Sequence, residues 1–231
     1  MKSPPSEFKL FNRGAEETAV LIPGWAADYR IFSTLQLDFN YLIPIKFSPY
    51  SFEKGLLSSL KDNGLNKISI LGWSMGGFIA RDFASKHQAM INNLTLISVR
   101  EKYEKEDIGK IKAYLKKNKK GYLYRFYRDS FSKTDEEAFS WFKRHLLRSY
   151  LGEMELNLLL EGLDYLSEAR LVPLKLKRAK IKFIHGQDDK IAPIEEMLKI
   201  KENFPSAEFI TIEGAGHVPF LNRGFKRIFY P

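Results

Sequence analysis

The stretch that decides the fold is a serine between glycines: residues 72–77 read Gly72-Trp73-Ser74-Met75-Gly76-Gly77. The apolar run Ile68–Leu71 precedes it, and a helix-like stretch from Phe78 to Lys86 follows. A strand, a tight turn and a helix in this order are typical of a G-x-S-x-G nucleophile elbow, where small residues let strand and helix pass closely. The pattern predicts that Ser74 stands exposed on the turn as a nucleophile.

Apolar runs and helix-like stretches alternate through the first hundred residues. The apolar, β-branched runs predict strands at Thr18–Ile22, Tyr41–Ile45, Ile68–Leu71 and Asn93–Val99, after a short strand around Phe8–Phe11. Helices are predicted over residues 28–37, 52–62 and 78–86. This order predicts an α/β fold with a mostly parallel central sheet and helices on both faces. Pro44 favours an edge position or an irregular end for its strand.

The strand signal disappears between about residues 101 and 171, where the sequence is helical, charged and aromatic. Strands are predicted again at Ile181–Ile184 and Phe209–Ile212, with a helix at Ile194–Asn203 between them. We therefore predict that residues 1–100 and 172–231 form the α/β core. Residues 101–171 are expected to form a helical cap, or lid, inserted between the two halves of the core.

The composition excludes several classes of protein. A chain of 231 residues, 44% of them hydrophobic, is long enough for one α/β domain with an inserted subdomain. It has no cysteine, which excludes disulfides, a thiolate nucleophile and a cysteine metal site. The N-terminal residues carry no apolar signal segment, and no apolar run approaches the roughly 20 residues of a membrane span. We expect a cytoplasmic, monomeric protein that binds neither membrane nor nucleic acid.

A serine nucleophile needs a base and an orienting acid. Asp188 and Asp189 lie in the loop after the predicted strand Ile181–Ile184. His217 lies in the loop after the last predicted strand, Phe209–Ile212. Because ligands bind beyond the carboxyl ends of parallel strands, both loops are expected at the edge that holds Ser74. The sequence therefore predicts a Ser-His-Asp triad in the chain order serine, acid, histidine.

Two positions in these loops leave alternatives open. The G-x-x-D-x-x-x-P spacing from Gly186 to Pro193 favours Asp189 over Asp188 as the triad acid, although either carboxylate could cap the helix that follows. His185 directly ends a strand and is expected to pack or bond locally, which leaves His217 as the predicted base.

The remaining site predictions concern the oxyanion and the substrate. An oxyanion needs two preorganised N–H donors, and the backbones of Met75 and Trp25 are the candidates, with Gly24 allowing close approach. Trp25 and Trp73 are expected to line an acyl pocket, together with Phe126 and Phe142 from the cap. This chemistry needs no metal and no organic cofactor.

These motifs resemble the α/β-hydrolase superfamily over almost the whole chain. Within it, the Gly-Trp-Ser-x-Gly-Gly motif, Trp25 in the oxyanion loop and the helical cap are similar to the pimeloyl-[acyl-carrier protein] methyl ester carboxylesterases of biotin synthesis (the BioH type). Residues 162–166 followed by Arg170-Leu171, and the pair Arg125-Phe126, are also similar to segments of that family's cap. One departure is Pro23-Gly24, where the superfamily usually has His-Gly.

The charge distribution adds a possible partner. Residues 110–150 contain twelve Lys or Arg and four acids, a net charge of +8 against +9 for the whole chain. The resemblance implies docking of an acidic acyl-carrier protein, and a basic surface would steer such a partner to the cap. The docking candidates are Arg125, Arg128, Lys143, Arg144 and Arg148. The other interpretation is a solvated, lysine-rich helix face.

Together, the motifs and the resemblance predict a serine carboxylesterase that hydrolyses the methyl ester of pimeloyl-acyl-carrier protein. A thioesterase or a broad-specificity short-chain carboxylesterase is the alternative within the same chemistry. A catalytically silent hydrolase fold that acts as a binding module is the alternative of another class.

Overall fold

The computed structural model describes residues 7–35, 39–176 and 179–225. In these ranges the strands form one seven-stranded sheet, in the order β1-β3-β2-β4-β5-β6-β7. Only β1 runs antiparallel to its neighbour, and every other pair is parallel. The strands are β1 (Glu7–Phe11), β2 (Thr18–Ile22), β3 (Asn40–Lys46), β4 (Ile68–Trp73), β5 (Ile91–Ile97), β6 (Lys180–Gly186) and β7 (Glu208–Ile212).

Helices connect the parallel strands, as the sequence predicts. They are α1 (Phe52–Asp62), α2 (Met75–Lys86), α3 (Lys105–Lys117), α4 (Lys119–Asp129), α5 (Glu136–Phe142), α6 (Arg148–Glu153), α7 (Leu156–Glu168) and α8 (Ile194–Asn203). Short 3-10 helices lie at Tyr29–Phe32, Gln88–Met90 and Pro219–Leu221, and a π-helical turn at Lys143–Leu147 joins α5 to α6. The predicted α/β class with a mostly parallel sheet is therefore confirmed.

Two local predictions need correction. The helix predicted over 28–37 is a 3-10 helix at Tyr29–Phe32, and the predicted end at Leu37 lies outside the described residues. Of the two positions predicted for the strand of Pro44, the edge is wrong, because β3 is an interior strand, and the irregular end is confirmed. The parallel pairing of β3 with β2 covers only Asn40 to Leu42, so Pro44 lies beyond that ladder, where a missing N–H costs little.

The centre of the sheet is buried on both faces. Every residue of β2 is buried, and so are all residues of β4 except Ser69. Continuous apolar strands of this kind occur where helices cover both sides of a parallel sheet. The turn that follows β4 is therefore held on a rigid support.

Helices α3 to α7, which we call the helical insert, lie between β5 and β6, in the interval for which the sequence predicts a cap. The insert has its own aromatic core, in which the Phe142 ring lies 5.2 Å from Tyr127, 5.4 Å from Phe131 and 5.7 Å from Tyr150, between ring centroids. No helix in the described ranges is long and apolar enough to cross a membrane.

The turn at Ser74 depends on glycines because backbones touch there. A Cβ on Gly76 would lie 2.3 Å from the carbonyl oxygen of Ile22, and a Cβ on Gly72 would lie 2.3 Å from the carbonyl oxygen of Gly76. Such contacts cannot be relieved by moving a side chain, since the opposing atoms belong to the backbone. Strand β2, strand β4 and helix α2 can therefore meet only where these side chains are absent.

We predict that Gly76→Ala destabilises the fold by about 2 kcal/mol or more, because its methyl group overlaps the backbone of β2. Gly109→Ala is the matched control: a Cβ at Gly109 meets nothing within 4 Å. In helix α3 this change should stabilise by about 0.5–1 kcal/mol. Urea denaturation of both variants measures the difference, and equal stability of the two would contradict the packing described.

Candidate active site

Three loops at the carboxyl edge of the sheet bring Ser74, Asp189 and His217 together. Ser74 follows β4, Asp189 follows β6 and His217 follows β7. The His217 Nε2 atom lies 2.9 Å from Ser74 Oγ, and the His217 Nδ1 atom lies 2.7 Å from Asp189 Oδ2. With a proton on Nδ1, the ring donates to the carboxylate and leaves Nε2 free to accept the serine proton. This is the geometry of a serine activated by a histidine base.

The carboxylate beside His217 belongs to Asp189, while Asp188 is exposed to solvent. The second oxygen of Asp189, Oδ1, accepts hydrogen bonds from the N–H groups of Ile191 and Ala192, each at 2.8 Å. Those two bonds fix the carboxylate, so that Oδ2 points at the imidazole. The loop between β6 and α8 is thus shaped to orient one acid.

His185 is buried one residue before the end of β6, and its Nε2 lies 2.6 Å from the carbonyl oxygen of Ala192. Burial lowers the pKa of His185, which keeps its ring neutral at pH 7 and able to donate to that carbonyl. The same Nε2 is 3.6 Å from Asp189 Oδ2. His185 therefore supports the loop that carries the acid, in agreement with the local role expected from the sequence.

The backbone of Ser74 is strained, with φ 54° and ψ −118°, a combination that residues other than glycine rarely adopt. Its N–H donates to the carbonyl of Ile97 at 2.8 Å, which ties the turn to β5. The prediction that Ser74 is exposed is wrong, since only 6% of its surface is accessible. Apolar side chains of the helical insert share the cavity above it and shield it from solvent.

The candidate oxyanion donors lie beside this turn. Met75 is the first residue of α2, and the loop of Gly24 and Trp25 packs against Ser74. A Cβ on Gly24 would lie 3.0 Å from the Ser74 Cβ, which explains why glycine precedes Trp25. The assignment of the Met75 and Trp25 N–H groups to an oxyanion stays a prediction, supported by this close approach.

The helical insert holds the loop of His217 in place. The N–H of His217 donates to the Ser130 carbonyl at 2.8 Å, and the N–H of Gly216 donates to the Asp135 carboxylate at 2.8 Å. A Cβ on Gly216 would lie 2.6 Å from the Ser130 carbonyl oxygen, so this contact also requires a glycine. The base is therefore positioned by the insert as well as by the sheet.

The insert also holds the loop of Trp25. The Trp25 Nε1–H donates to the carbonyl of Leu159 in α7 at 2.8 Å, and the Tyr127 hydroxyl donates to the carbonyl of Ala26 at 2.7 Å. A Cβ on Gly162 would lie 2.8 Å from the Trp25 ring, so α7 approaches the indole closely. Both loops that flank Ser74 are thus anchored from above.

A cavity of about 200 Å³ opens onto Ser74 between the sheet edge and the insert. Trp25 and Phe126 line it, with their ring centroids 5.0 Å apart, as the sequence predicts for a substrate wall. Further apolar lining comes from Ile108, Ile111, Leu163, Leu166 and Ile191. The cavity suits a small ligand with an apolar body.

Trp73 and Phe142 do not line this cavity, which corrects their predicted contact with substrate. The Trp73 Nε1–H donates to the carbonyl of His217 at 2.6 Å, and its ring packs edge-on against Phe220. Phe142 lies in the aromatic core of the insert, where it is almost fully buried. Trp73 therefore helps to hold the backbone of the base, His217, and Phe142 stabilises the insert.

Sequence reasoning missed Arg100 and Tyr103, which line the cavity together with the charged residues Glu104, Asp107 and Lys190. Burial raises the pKa of the Tyr103 phenol to about 12. Arg100 and Tyr103 follow the carboxyl end of β5. The rule that placed the loops of Asp189 and His217 at the edge of Ser74, a polar residue just beyond a parallel strand, could have indicated Arg100 as well.

The predicted docking residues are all exposed, but they differ in position. Arg125 lines a surface groove with Tyr114, Lys117 and Tyr122, and Tyr122 also lines the Ser74 cavity. The other four, Arg128, Lys143, Arg144 and Arg148, line neither space. Through Tyr122, the groove of Arg125 adjoins the Ser74 cavity.

A mostly parallel sheet, with a serine on a strained strand–helix turn and with an acid and a histidine after later strands, defines an α/β-hydrolase fold. The family model described as "Alpha/beta hydrolase family" matches residues 19–228. The chain therefore belongs to the alpha/beta hydrolase family. No curated protein matches the chain.

Solved structures show the same fold at low sequence identity. An alpha/beta hydrolase enzyme from a Medee basin deep-sea metagenome library is 17% identical, with a TM-score of 0.81 over 97% of this chain and 91% of that chain. An esterase from Exiguobacterium antarcticum has 17% identity and a TM-score of 0.81, over 97% and 93% of the two chains. A malate-bound thermophilic esterase from Thermogutta terrifontis has 20% identity and a TM-score of 0.80, over 97% and 90%.

We predict that His185 makes the protein less stable in acid. Its pKa is lowered in the folded state relative to about 6.5 in the unfolded chain, so the unfolded chain binds the proton more readily. This contribution to stability is present above pH 6.5 and is lost as the pH falls below that value. His185→Gln keeps a donor for Ala192 but does not titrate.

The free energy of unfolding, measured by urea denaturation at pH 7.5 and 5.5, should therefore change less in His185→Gln than in the wild type. His145→Gln, which replaces an exposed histidine of the insert, should keep the wild-type difference. The same pH dependence in the wild type and His185→Gln would contradict the role given to His185.

Proposed function

We propose that the protein is a serine carboxylesterase with Ser74 as nucleophile, His217 as base and Asp189 as orienting acid. The observation that carries the proposal is the hydrogen-bonded series from Asp189 through His217 to Ser74, at 2.7 Å and 2.9 Å, below a cavity with mostly apolar walls. A carboxylic ester combines an apolar acyl chain with a carbonyl group that such a serine attacks.

In the proposed mechanism, Ser74 Oγ attacks the ester carbonyl while His217 Nε2 takes the serine proton. Asp189 stabilises the imidazolium that forms. The N–H groups of Trp25 and Met75 hold the oxyanion. His217 then protonates the leaving alcohol, and an acyl-enzyme remains on Ser74. Water hydrolyses that intermediate by the same steps in reverse order, which releases the carboxylic acid and restores the serine.

A thioesterase would use the same residues, since an acyl thioester is attacked in the same way. A broad-specificity short-chain carboxylesterase is favoured by the size of the cavity, about 200 Å³. A catalytically silent fold that serves as a binding module is opposed by the aligned hydrogen bonds of His217, which binding alone does not need. A fluorophosphonate probe separates these classes, because only an activated serine is labelled.

We predict that Ser74→Ala lowers kcat for p-nitrophenyl butyrate by roughly 10⁴-fold or more, since the acyl-enzyme cannot form. Fluorophosphonate labelling should disappear in the same variant. Ser58→Ala, which changes an exposed serine of α1, is the matched control and should keep both. Hydrolysis or labelling that survives in Ser74→Ala would show that another residue is the nucleophile.

A narrower proposal concerns the substrate, the methyl ester of pimeloyl-acyl-carrier protein, with the carrier protein docked on the insert. It is supported by the sequence motifs shared with that esterase family and by Arg125 at the groove beside the cavity. Several basic residues of the insert are already paired: Lys110 with Glu106, Lys112 with Asp164 and Arg128 with Asp129. The charge free to meet an acidic partner is therefore smaller than the sequence count.

We predict that the triple charge reversal Arg125→Glu, Arg128→Glu and Arg144→Glu slows hydrolysis of the carrier-linked ester roughly tenfold, by weakening encounter with an acidic partner. Hydrolysis of p-nitrophenyl butyrate should stay within about twofold, since these side chains do not line the cavity. Lys54→Glu on α1 is the control. Equal effects on both substrates, or no effect on either, would exclude docking at these residues.

A further inference from the structure

We infer that Arg100, Tyr103 and Lys190 form a subsite for a carboxylate, so that the preferred substrates are esters that carry a second, ionised carboxyl group. We call these three residues the anion subsite. The inference rests on the proposed esterase function and names the substrate class for it. All three residues line the cavity that contains Ser74.

The Arg100 guanidinium has no hydrogen-bond acceptor in the described part of the chain, and its Nε is buried without a hydrogen bond. It forms a long ion pair with Glu196, whose Oε2 lies 3.8 Å from that Nε, beyond hydrogen-bonding distance, while Glu196 bonds Lys199 at 3.0 Å. A guanidinium presents five donors in a fixed fork that matches a carboxylate, and unmet donors in a half-buried place are costly. A ligand carboxylate would satisfy them.

Tyr103 holds this guanidinium at the wall of the cavity. The Arg100 Cζ lies 4.8 Å above the centre of the Tyr103 ring, a cation–π contact, and both residues line the cavity together with Ser74. The Arg100 side chain keeps 25% of its surface exposed, so it is accessible from the cavity.

Lys190 adds a cation to the same cavity. It follows the triad acid directly, is exposed, and has no ion pair or hydrogen bond among the described residues. Two acids also line the cavity, and both have cationic partners: Glu104 lies 2.8 Å from Lys102, and Asp107 lies 3.6 Å from Lys110. Among the described residues, Lys190 is therefore the charged residue of the lining without an ion pair, and Arg100 adds a buried donor that no residue meets.

These features describe a class of ligand. The cavity of about 200 Å³ holds a small molecule, its apolar side chains suit a short carbon chain, and Arg100 and Lys190 suit a carboxylate at the end of that chain. Half-esters of short dicarboxylic acids combine the three properties with the carboxylate on the acyl part. Esters of hydroxy acids combine them with the carboxylate on the alcohol part.

The test compares esters of similar shape with and without a negative charge. For the acyl part, the pair is the p-nitrophenyl half-ester of glutarate and p-nitrophenyl pentanoate, which have the same chain length. For the alcohol part, the pair is 4-carboxyphenyl butyrate and 4-carbamoylphenyl butyrate. Wild type, Arg100→Met, Lys190→Met and Arg100→Lys are assayed, with Lys61→Met, an exposed lysine of α1, as the matched control.

We expect wild type to have the higher kcat/KM for the charged ester in one of the two pairs. Arg100→Met should lower that value roughly tenfold to hundredfold, the effect of losing a hydrogen bond to a charged group, and leave the neutral ester within about twofold. Lys190→Met should lower kcat/KM for the charged ester as well, but by a smaller factor. Arg100→Lys should keep part of the preference for the charged ester that Arg100→Met loses. Lys61→Met should change kcat/KM for neither the charged nor the neutral ester.

The results separate this inference from the proposed function. Hydrolysis of all four esters without a preference for charge, unchanged in Arg100→Met, would overturn the anion subsite and leave the esterase intact. An equal loss on charged and neutral esters would also overturn it, because Arg100 would then act only on the structure of the site. Failure of wild type to hydrolyse any of the four would reject the esterase itself. Inhibition by free glutarate, weakened in Arg100→Met, gives a second readout that needs no turnover.

Discussion

The arrangement of the site depends on the two hydrogen bonds made by the ring of His217. The residue is fully buried, so each of its polar groups needs a partner inside the protein. The ring nitrogens meet Asp189 and Ser74, the N–H meets the Ser130 carbonyl, and the carbonyl meets the Trp73 indole. His217 thus links two strand ends, the nucleophile turn and the helical insert. A shift in any of them would disturb the hydrogen bonds from Asp189 through His217 to Ser74.

The sheet explains why residues far apart in sequence meet at this ring. In a parallel sheet the carboxyl ends of all strands lie at one edge, so the loops after β2, β4, β5, β6 and β7 reach the same place. The close approach of β2, β4 and α2 then fixes the direction of Ser74. The strained backbone of that residue is held by this close packing, which is possible because Gly72 and Gly76 have no side chains.

Much of this could be predicted from local patterns. The apolar runs indicated the strands, and the glycines beside Ser74 indicated a turn shaped for close contact. The spacing before Pro193 favoured Asp189, which lies beside the imidazole. What failed depends on contacts across the chain. Trp73 resembles a pocket wall in sequence, yet its N–H is bound to the loop of His217, and the burial of Ser74 follows from the insert above it. Arg100 belongs to no motif, and its position just beyond β5 is its one signal in the sequence.

The helical insert is more than a cover for the cavity. Its residues Ser130 and Asp135 hold the loop of the base, and its Leu159 carbonyl holds the Trp25 indole. An exchange of this segment with that of a relative, made to alter the range of substrates, would therefore also remove the anchors of two loops of the site. The parts that can vary independently are the outward faces of α3 and α4. Residues 130–135 therefore act as part of the support of the site, although they lie within the insert.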